Sequence, residues 1–369
     1  MKILITGANG FIGRNVVETL RATTTHTLML VDKDTLPETL AAFIKDAEFI
    51  LHFAGVNRPQ LLEEFQTGNV DFTETLLAQC QQQRRPIPVV FASSIQAEQD
   101  NPYALSKREA EARLRAYATQ TGSKVYIYRF PNVFGKWSRP NYNSAVATFC
   151  HNIARNLPIT VHDPSVVLTL VYVDDVVLEI MRAIHHQATP DGAFYRVPIA
   201  YERRLDEIVG LITSFKDSRH TRIVPDMADP FTKKLYSTYT SFIPLEGLNY
   251  DLVKHEDARG SFTEFVKSMS GGQVSVNISK PGVTKGDHWH HTKNEKFFVV
   301  QGEGIIRFRP VGSDDITMYS VSGTHHQVIE IPVGSTHNIE NCGTTDLITL
   351  MWVNEPFDPD HPDTIPLEV

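Results

Sequence analysis

An apolar strand, Ile3–Thr6, runs directly into Gly7-Ala8-Asn9-Gly10-Phe11-Ile12-Gly13 and then into a segment with helical spacing of apolar residues, Gly13–Arg21. Glycines three apart between a strand and a helix leave few folds open. Gly7 permits a tight turn, Gly10 lets backbone N–H groups approach a pyrophosphate, and Gly13 lets the helix pack close to a sheet. The helix N-terminus then faces phosphate charge. Gly7, Asn9, Gly10, Phe11, Ile12 and Gly13 are thus candidate dinucleotide-binding residues.

Short apolar runs continue at Leu28–Val31, Phe49–Phe53, Val89–Ser93 and Val125–Arg129, with helical patterns such as Glu64–Gln83 and Ser106–Thr121 between them. Repeated strand–helix units predict an α/β domain built on a doubly wound, Rossmann-like parallel sheet. Asn101-Pro102 supplies a cap and a first-turn proline for the helix that carries Tyr103. From about residue 246 long helical patterns cease. Runs at Gln273–Ser279, Lys296–Val300, Gly304–Phe308, Ile316–Val321, Gln327–Ile331 and Asp346–Trp352 are separated by turns and punctuated by glycine and proline. That texture predicts an all-β barrel or sandwich. The expected division is therefore 1–245 and 246–369, with Thr240–Asn249 as linker; a length of 369 residues also exceeds the usual limit of one core.

A formal charge of −8 with scattered basic residues argues against a nucleic-acid surface. No apolar run approaches the ~20 residues of a membrane helix, and no signal peptide is visible. Cys80, Cys150 and Cys342 lie far apart and read as reduced thiols, so the expected location is the cytoplasm.

Two side-chain sets carry chemistry. Tyr103 and Lys107 stand four apart on a helix and share a face, while Ser94 sits just past a strand end, where it can enter the same cleft. Tyrosine can protonate the alkoxide formed when a carbonyl takes a hydride. A nearby Lys⁺ and an oxidised nicotinamide should lower its pKa from about 10, and Ser94 would hold the carbonyl oxygen. Asp32, at the end of the second strand, would bond the ribose 2′-OH of NAD; Lys33 would instead accept the 2′-phosphate of NADP, and the pair leaves both open. The second set is His288, His290, Glu295 and His337. Histidines two apart on a strand point the same way. With a carboxylate they suit Zn²⁺, Mn²⁺ or Fe²⁺ and leave room for substrate or water. His291, His325 and His326 are expected bystanders.

Over residues 1–245 the chain resembles the extended short-chain dehydrogenase/reductase family. The likeness rests on Thr6–Gly13, His52-Phe53-Ala54-Gly55, Phe91-Ala92-Ser93-Ser94, Asn101–Lys107, Arg129–Gly135 and Tyr172–Val176. It implies catalysis by Ser94, Tyr103 and Lys107, cofactor contacts at Ala54 and Gly55, and a substrate contact at Asn132. The C-terminal part resembles the cupins, through Gly282–Gly302 and the set Pro332, Gly334, His337 and Asn341. Asp257–Glu264 and Lys285–His288 are also similar to cupin-fold sugar-nucleotide epimerases that need no metal, in which the residue matching His288 is a general base. Ligand and base both stay open for His288.

End to end, the chain resembles the CapF-type family of bifunctional capsular polysaccharide enzymes, through Gly55-Val56-Asn57-Arg58-Pro59, Lys136-Trp137, Pro140–Ser144 and His288–Lys296. This resemblance implies a UDP-linked 2-acetamido-2,6-dideoxy-4-ketohexose substrate, C3 epimerisation at a zinc cupin, C4 reduction by NADP(H), and a homodimer. Other readings are NAD(H) as cofactor, a dTDP-linked 4-keto-6-deoxy sugar as substrate, or a dinucleotide-sensing regulator that is no enzyme. Such sensors often lack the tyrosine or the lysine, and both are present here.

Overall fold

The structure is a computed structural model that describes residues 1–142 and 144–369; Asn143, part of the Pro140–Ser144 likeness, lies outside them. The chain divides into two compact units, Met1–Ile212 with Lys234–Ile243, and Thr213–Lys233 with Pro244–Val369.

In the first unit, β1 (Lys2–Thr6), β2 (Thr27–Val31), β3 (Phe49–His52), β4 (Val89–Ser94) and β5 (Val125–Phe130) form a parallel sheet in the order β2-β1-β3-β4-β5. β6 (Asn132–Phe134) and β7 (Val167–Tyr172) pair in a smaller sheet. β8 (Pro190–Asp191) and β9 (Phe194–Tyr195) extend the main sheet beyond β5, and β10 (Tyr201–Arg204) runs antiparallel to β7. The helices are α1 (Phe11–Thr23), α2 (Pro37–Asp46), α3 (Glu63–Phe65), α4 (Phe72–Gln82), α5 (Pro102–Thr121), α6 (Ala145–Ala154) and α7 (Val173–Ile184), followed by α8 (Leu205–Thr221) and α9 (Pro230–Thr240), whose residues are divided between the two units.

Consecutive residues of β1 enter different cores, which is why its sequence reads as unbroken apolar. Ile3 and Ile5 pack with Val16, Leu20 and Ile180 of α1 and α7. Leu4 packs on the other face with Leu40, Leu76 and Leu114 of α2, α4 and α5. The α5 start follows its sequence signal, since Asn101 Oδ1 accepts the Ala104 N–H at 2.8 Å. One expected helix, 64–83, is not continuous: a π-helical turn, Gln66–Asp71, separates α3 from α4. There Asn69 is turned onto the 55–56 loop, accepting the Val56 N–H at 2.7 Å.

The second unit carries eleven strands: β11 (Lys254–Asp257), β12 (Gly260–Ser268), β13 (Gly272–Ser279), β14 (Thr284–Trp289), β15 (Glu295–Gln301), β16 (Glu303–Pro310), β17 (Thr317–Ser322), β18 (Val328–Ile331), β19 (Ser335–Asn341), β20 (Leu347–Val353) and β21 (Ile365–Pro366). They form two antiparallel sheets, β11-β12-β13-β20-β15-β18 and β17-β16-β19-β14-β21. Alternating residues of each, among them Phe297, Val299, Ile306, Phe308 and Ile339, share one apolar core, giving the expected cupin-like double-sheet domain. The stretch 213–233, placed by sequence in the N-terminal part, belongs to this unit. Backbone bonds join it to β12: Lys267 donates to Arg222 at 2.8 Å and Val224 donates to Lys267 at 2.7 Å. Arg222 also pairs with Glu264 at 2.7 Å.

Candidate functional site

The glycine turn follows β1 at the point where the strand order reverses, where open α/β sheets bind ligands. Gly7 adopts φ +67°, and a Cβ there would lie 2.6 Å from the Ala54 nitrogen. At Gly13 a Cβ would stand 2.1 Å from the Gly7 carbonyl oxygen. Both positions therefore exclude any side chain. Gly10 is less crowded, 3.1 Å from that oxygen.

The turn forms one wall of a cleft of about 1230 Å³ whose lining includes Asn9, Phe11, Ile12, Gly55, Ser94, Tyr103, Lys107 and Asn132. Ala54, Asp32 and Lys33 lie outside that lining. Asp32 Oδ2 accepts the Asn9 N–H at 3.1 Å, which ties the carboxylate to the turn, and Lys33 is exposed. Asn132 Nδ2 donates to the Thr169 carbonyl at 3.2 Å.

Tyr103 and Lys107 project from the first turns of α5 toward Ser94 at the end of β4. Burial raises the Tyr103 pKa, the Ser94 hydroxyl bond works against that, and Tyr142 adds to it. The lowering expected from Lys107 is not among the causes of the shift; desolvation dominates, and the phenol stays protonated near neutral pH. Burial brings Lys107 down to about 8, with Glu111 opposing. Its ammonium donates to the Ala92 carbonyl at 3.1 Å.

Sequence reasoning missed the frame behind these groups. Buried Glu111 accepts from Ser93 Oγ at 2.6 Å and from Arg129 Nη2 at 2.7 Å. Asn69 donates to Ser106 Oγ at 2.9 Å, and Ser106 Oγ donates to the Tyr103 carbonyl at 2.8 Å. Glu111 lies one turn beyond Lys107 on α5, a spacing that could have marked it. Asn69 left no such signal, because its role depends on the π turn.

In the second unit, ligand atoms of His288, His290, Glu295 and His337 all lie within 4.8 Å of one another. His288 and His337 are opposite each other on β14 and β19. The register shifts just before His288, where Asp287 takes φ +58°. A Cβ on Gly286 would sit 2.7 Å from the His337 carbonyl, so the bulge needs glycine. Glu295 opens β15 in the other sheet, with Oε2 3.2 Å from His337 Nε2 and 3.5 Å from His290 Nε2. Burial would raise the Glu295 pKa, yet the adjoining imidazoles hold it down to about 2. Burial lowers His288 to about 4, with His337 and His290 adding to the effect. Buried His290 Nε2, Glu295 Oε2 and both His337 ring nitrogens lack a hydrogen-bond partner. Orphaned donors and acceptors around a buried carboxylate fit a divalent cation, and three imidazoles with one carboxylate form a suitable donor set. His291, His325 and His326 are outside the cluster.

No helix among the described residues is long and apolar enough to cross a membrane. Residues 3–197 match the NAD dependent epimerase/dehydratase family, and residues 255–365 match the polysaccharide biosynthesis C-terminal domain. A UDP-2-acetamido-2,6-beta-L-arabino-hexul-4-ose reductase from Pseudomonas aeruginosa is 42% identical over 364 residues, 99% of this chain and 98% of that protein. The capsular polysaccharide assembling protein CapF from Staphylococcus aureus superposes with a TM-score of 0.94 at 52% identity, over 100% of both chains. UDP-glucuronic acid 4-epimerase from Bacillus cereus, solved with UDP-glucuronic acid and NAD, covers 66% of this chain and 99% of its own at 16% identity and a TM-score of 0.55, a likeness of fold alone. The chain belongs to the NAD dependent epimerase/dehydratase family, in its CapF-type branch that carries a polysaccharide biosynthesis C-terminal domain, and is an enzyme of the nicotinamide-dependent oxidoreductase and epimerase class.

Proposed function

We propose that this enzyme inverts C3 of a UDP-linked 2-acetamido-2,6-dideoxy-4-ketohexose at the His288–His290–Glu295–His337 site and then reduces C4 in the glycine-turn cleft. The product is UDP-2-acetamido-2,6-dideoxy-L-talose, a precursor of UDP-N-acetyl-L-fucosamine for surface polysaccharide. The observation that carries the reading is the pairing, in one chain, of a Ser94–Tyr103–Lys107 cleft with a buried imidazole–carboxylate cage. The 4-keto sugar in the name of the Pseudomonas relative supports the substrate class.

Chemistry fixes the order of the two steps. A C–H beside a ketone is acidic enough to be removed and returned to the opposite face. Once C4 is an alcohol that acidity is gone, so epimerisation comes first.

In the cleft, a nicotinamide dinucleotide would supply the hydride. Ser94 Oγ orients the ketone oxygen, and Tyr103 gives the developing alkoxide its phenolic proton. The Lys107 ammonium places positive charge beside the resulting phenolate. In the cage, Zn²⁺ would supply Lewis acidity at the ketone oxygen. His288, His290, Glu295 and His337 would hold the cation; the competing assignment makes His288 the base at C3. Its depressed pKa keeps it neutral near pH 7, as either role requires. His288→Gln with full metal content and no exchange at C3 would favour the base.

The cofactor is assigned as NADP(H). NAD(H) is the alternative, favoured by the acid at Asp32, and the ratio of kcat/KM for NADPH and NADH decides between them. Ser94, Asn132, Ala54, Gly55, Asp32, Lys33 and the turn residues Gly7, Asn9, Gly10, Phe11, Ile12 and Gly13 are assigned to substrate and cofactor as the sequence implied. The enzyme is placed in the cytoplasm as a homodimer.

The test is mass and NMR analysis of the product formed from the UDP-4-keto-6-deoxy-HexNAc with NADPH. An L-talo product is expected. A C4 alcohol with unchanged C3 would overturn the bifunctional reading, and turnover of only a dTDP-linked ketone would replace the substrate.

A further inference from the structure

The chain between β20 and its last strand lies directly behind the imidazole cage. β21 pairs with β14, setting Pro366 opposite His288 and Ile365 opposite Trp289. Two residues before β21 stands Asp363, and its two polar groups do different things.

The Asp363 backbone carbonyl meets His290 Nδ1. A carbonyl can only accept, so Nδ1 carries a ring proton, and in the neutral ring Nε2 is then the nitrogen with the free lone pair. That Nε2 is the buried atom without a hydrogen-bond partner that faces Glu295. The Asp363 carboxylate turns the other way and gathers the backbone N–H groups of the turn that joins His290 to Glu295. It accepts from His291 at 2.8 Å, Thr292 at 2.7 Å and Lys293 at 2.9 Å, and from Thr292 Oγ1 at 3.2 Å. Two further side chains hold the turn: Lys293 Nζ donates to Thr364 Oγ1 at 3.2 Å, and Asn294 N donates to Asn354 Oδ1 at 3.0 Å.

We propose that Asp363 is a positioning residue for the cation site. Its carbonyl selects the His290 tautomer that presents Nε2, and its carboxylate fixes the turn that sets the spacing of His290 and Glu295. The inference rests on the cage holding a divalent cation, as in the proposed function. Outer partners that orient a metal-binding histidine typically change affinity about 10–100-fold when removed. Here one residue acts on a ligand and on the connection between two ligands.

The test uses the full chain, stripped of metal and reloaded with Zn²⁺ against a chromophoric chelator, or with Co²⁺ for its visible spectrum. Asp363→Ala is expected to weaken Zn²⁺ about 10–100-fold and to alter the Co²⁺ bands, while far-UV dichroism stays that of the parent. Asp363→Asn, which keeps the shape and one acceptor oxygen, should fall between the two and covers the case in which the alanine variant does not fold. Long-range ¹H–¹⁵N spectra of the metal-free parent should show His290 protonated at Nδ1. Parent-like Zn²⁺ affinity and Co²⁺ spectra in either folded variant would overturn the assignment, as would an Nε2-protonated His290. If instead His337→Ala binds Zn²⁺ as tightly as the parent, it is the cation reading itself that fails.

Discussion

The Lys107 ammonium lies 5.9 Å from the centre of the Tyr103 ring, one helical turn further along α5. At that range it acts on the phenol through charge. Tyr103→Phe, which removes only the hydroxyl, should lower NAD(P)H oxidation at least 10²-fold. Deuterium from D₂O should still enter the substrate at C3, because the cage lies in a different unit. Loss of both activities would show that the two reactions are not independent.

His290→Ala or His337→Ala should stop that exchange and release the cation. Either change leaves Glu295 with fewer partners in a buried position. Metal content by emission spectrometry is the readout, and unchanged content would refute the ligand assignment.

Lys107 should cost the fold stability. Its pKa in the folded chain, about 8, lies below the ordinary 10.5. Folding therefore disfavours the charged form: the group's contribution is most favourable above pH 10.5 and is lost as pH falls through 8. The shift corresponds to about 3 kcal/mol, offset by about 1.5–3 kcal/mol for the charge-assisted bond to Ala92. Lys107→Met should accordingly be inactive yet at least as stable as the parent at pH 7, with any advantage shrinking at pH 9.5. Urea unfolding at the two pH values measures this, and a less stable variant at pH 7 would contradict it.

Gly13→Ala must move backbone, since its Cβ would meet the Gly7 oxygen at 2.1 Å. Overpacking of this kind costs about 1–3 kcal/mol, and the displaced turn should weaken cofactor binding at least tenfold. Gly210→Ala on α8 is the contrast. Nothing lies within 4 Å of its Cβ, so helix propensity should make it neutral or up to about 1 kcal/mol stabilising. Thermal melts and NADPH titration compare them.

What could be read beforehand was local. The Gly7–Gly13 turn, the four-residue spacing of Tyr103 and Lys107, and the alternation that carries His288 at the end of β14 and His290 just past it each act over a few neighbouring residues, so pattern and chemistry coincide. Ligands from separate sheets, Glu295 and His337, were legible through residue type and motif spacing. The unread parts act through the backbone. Asn69 serves through a π turn, Asp363 partly through its carbonyl, and 222–224 joins β12 by main-chain bonds that any sequence could make. Burial around Tyr103 was equally invisible, because desolvation depends on neighbours brought from distant stretches.

The passage of 213–233 into the cupin-like unit has a practical corollary for dissecting the enzyme. A fragment started at residue 246 would expose the edge of β12 that now holds 222–224, and would leave Glu264 without its guanidinium. A well-behaved fragment of the cupin-like unit should need to begin near residue 213 and route the chain around 234–243, for instance with a short glycine-rich bypass.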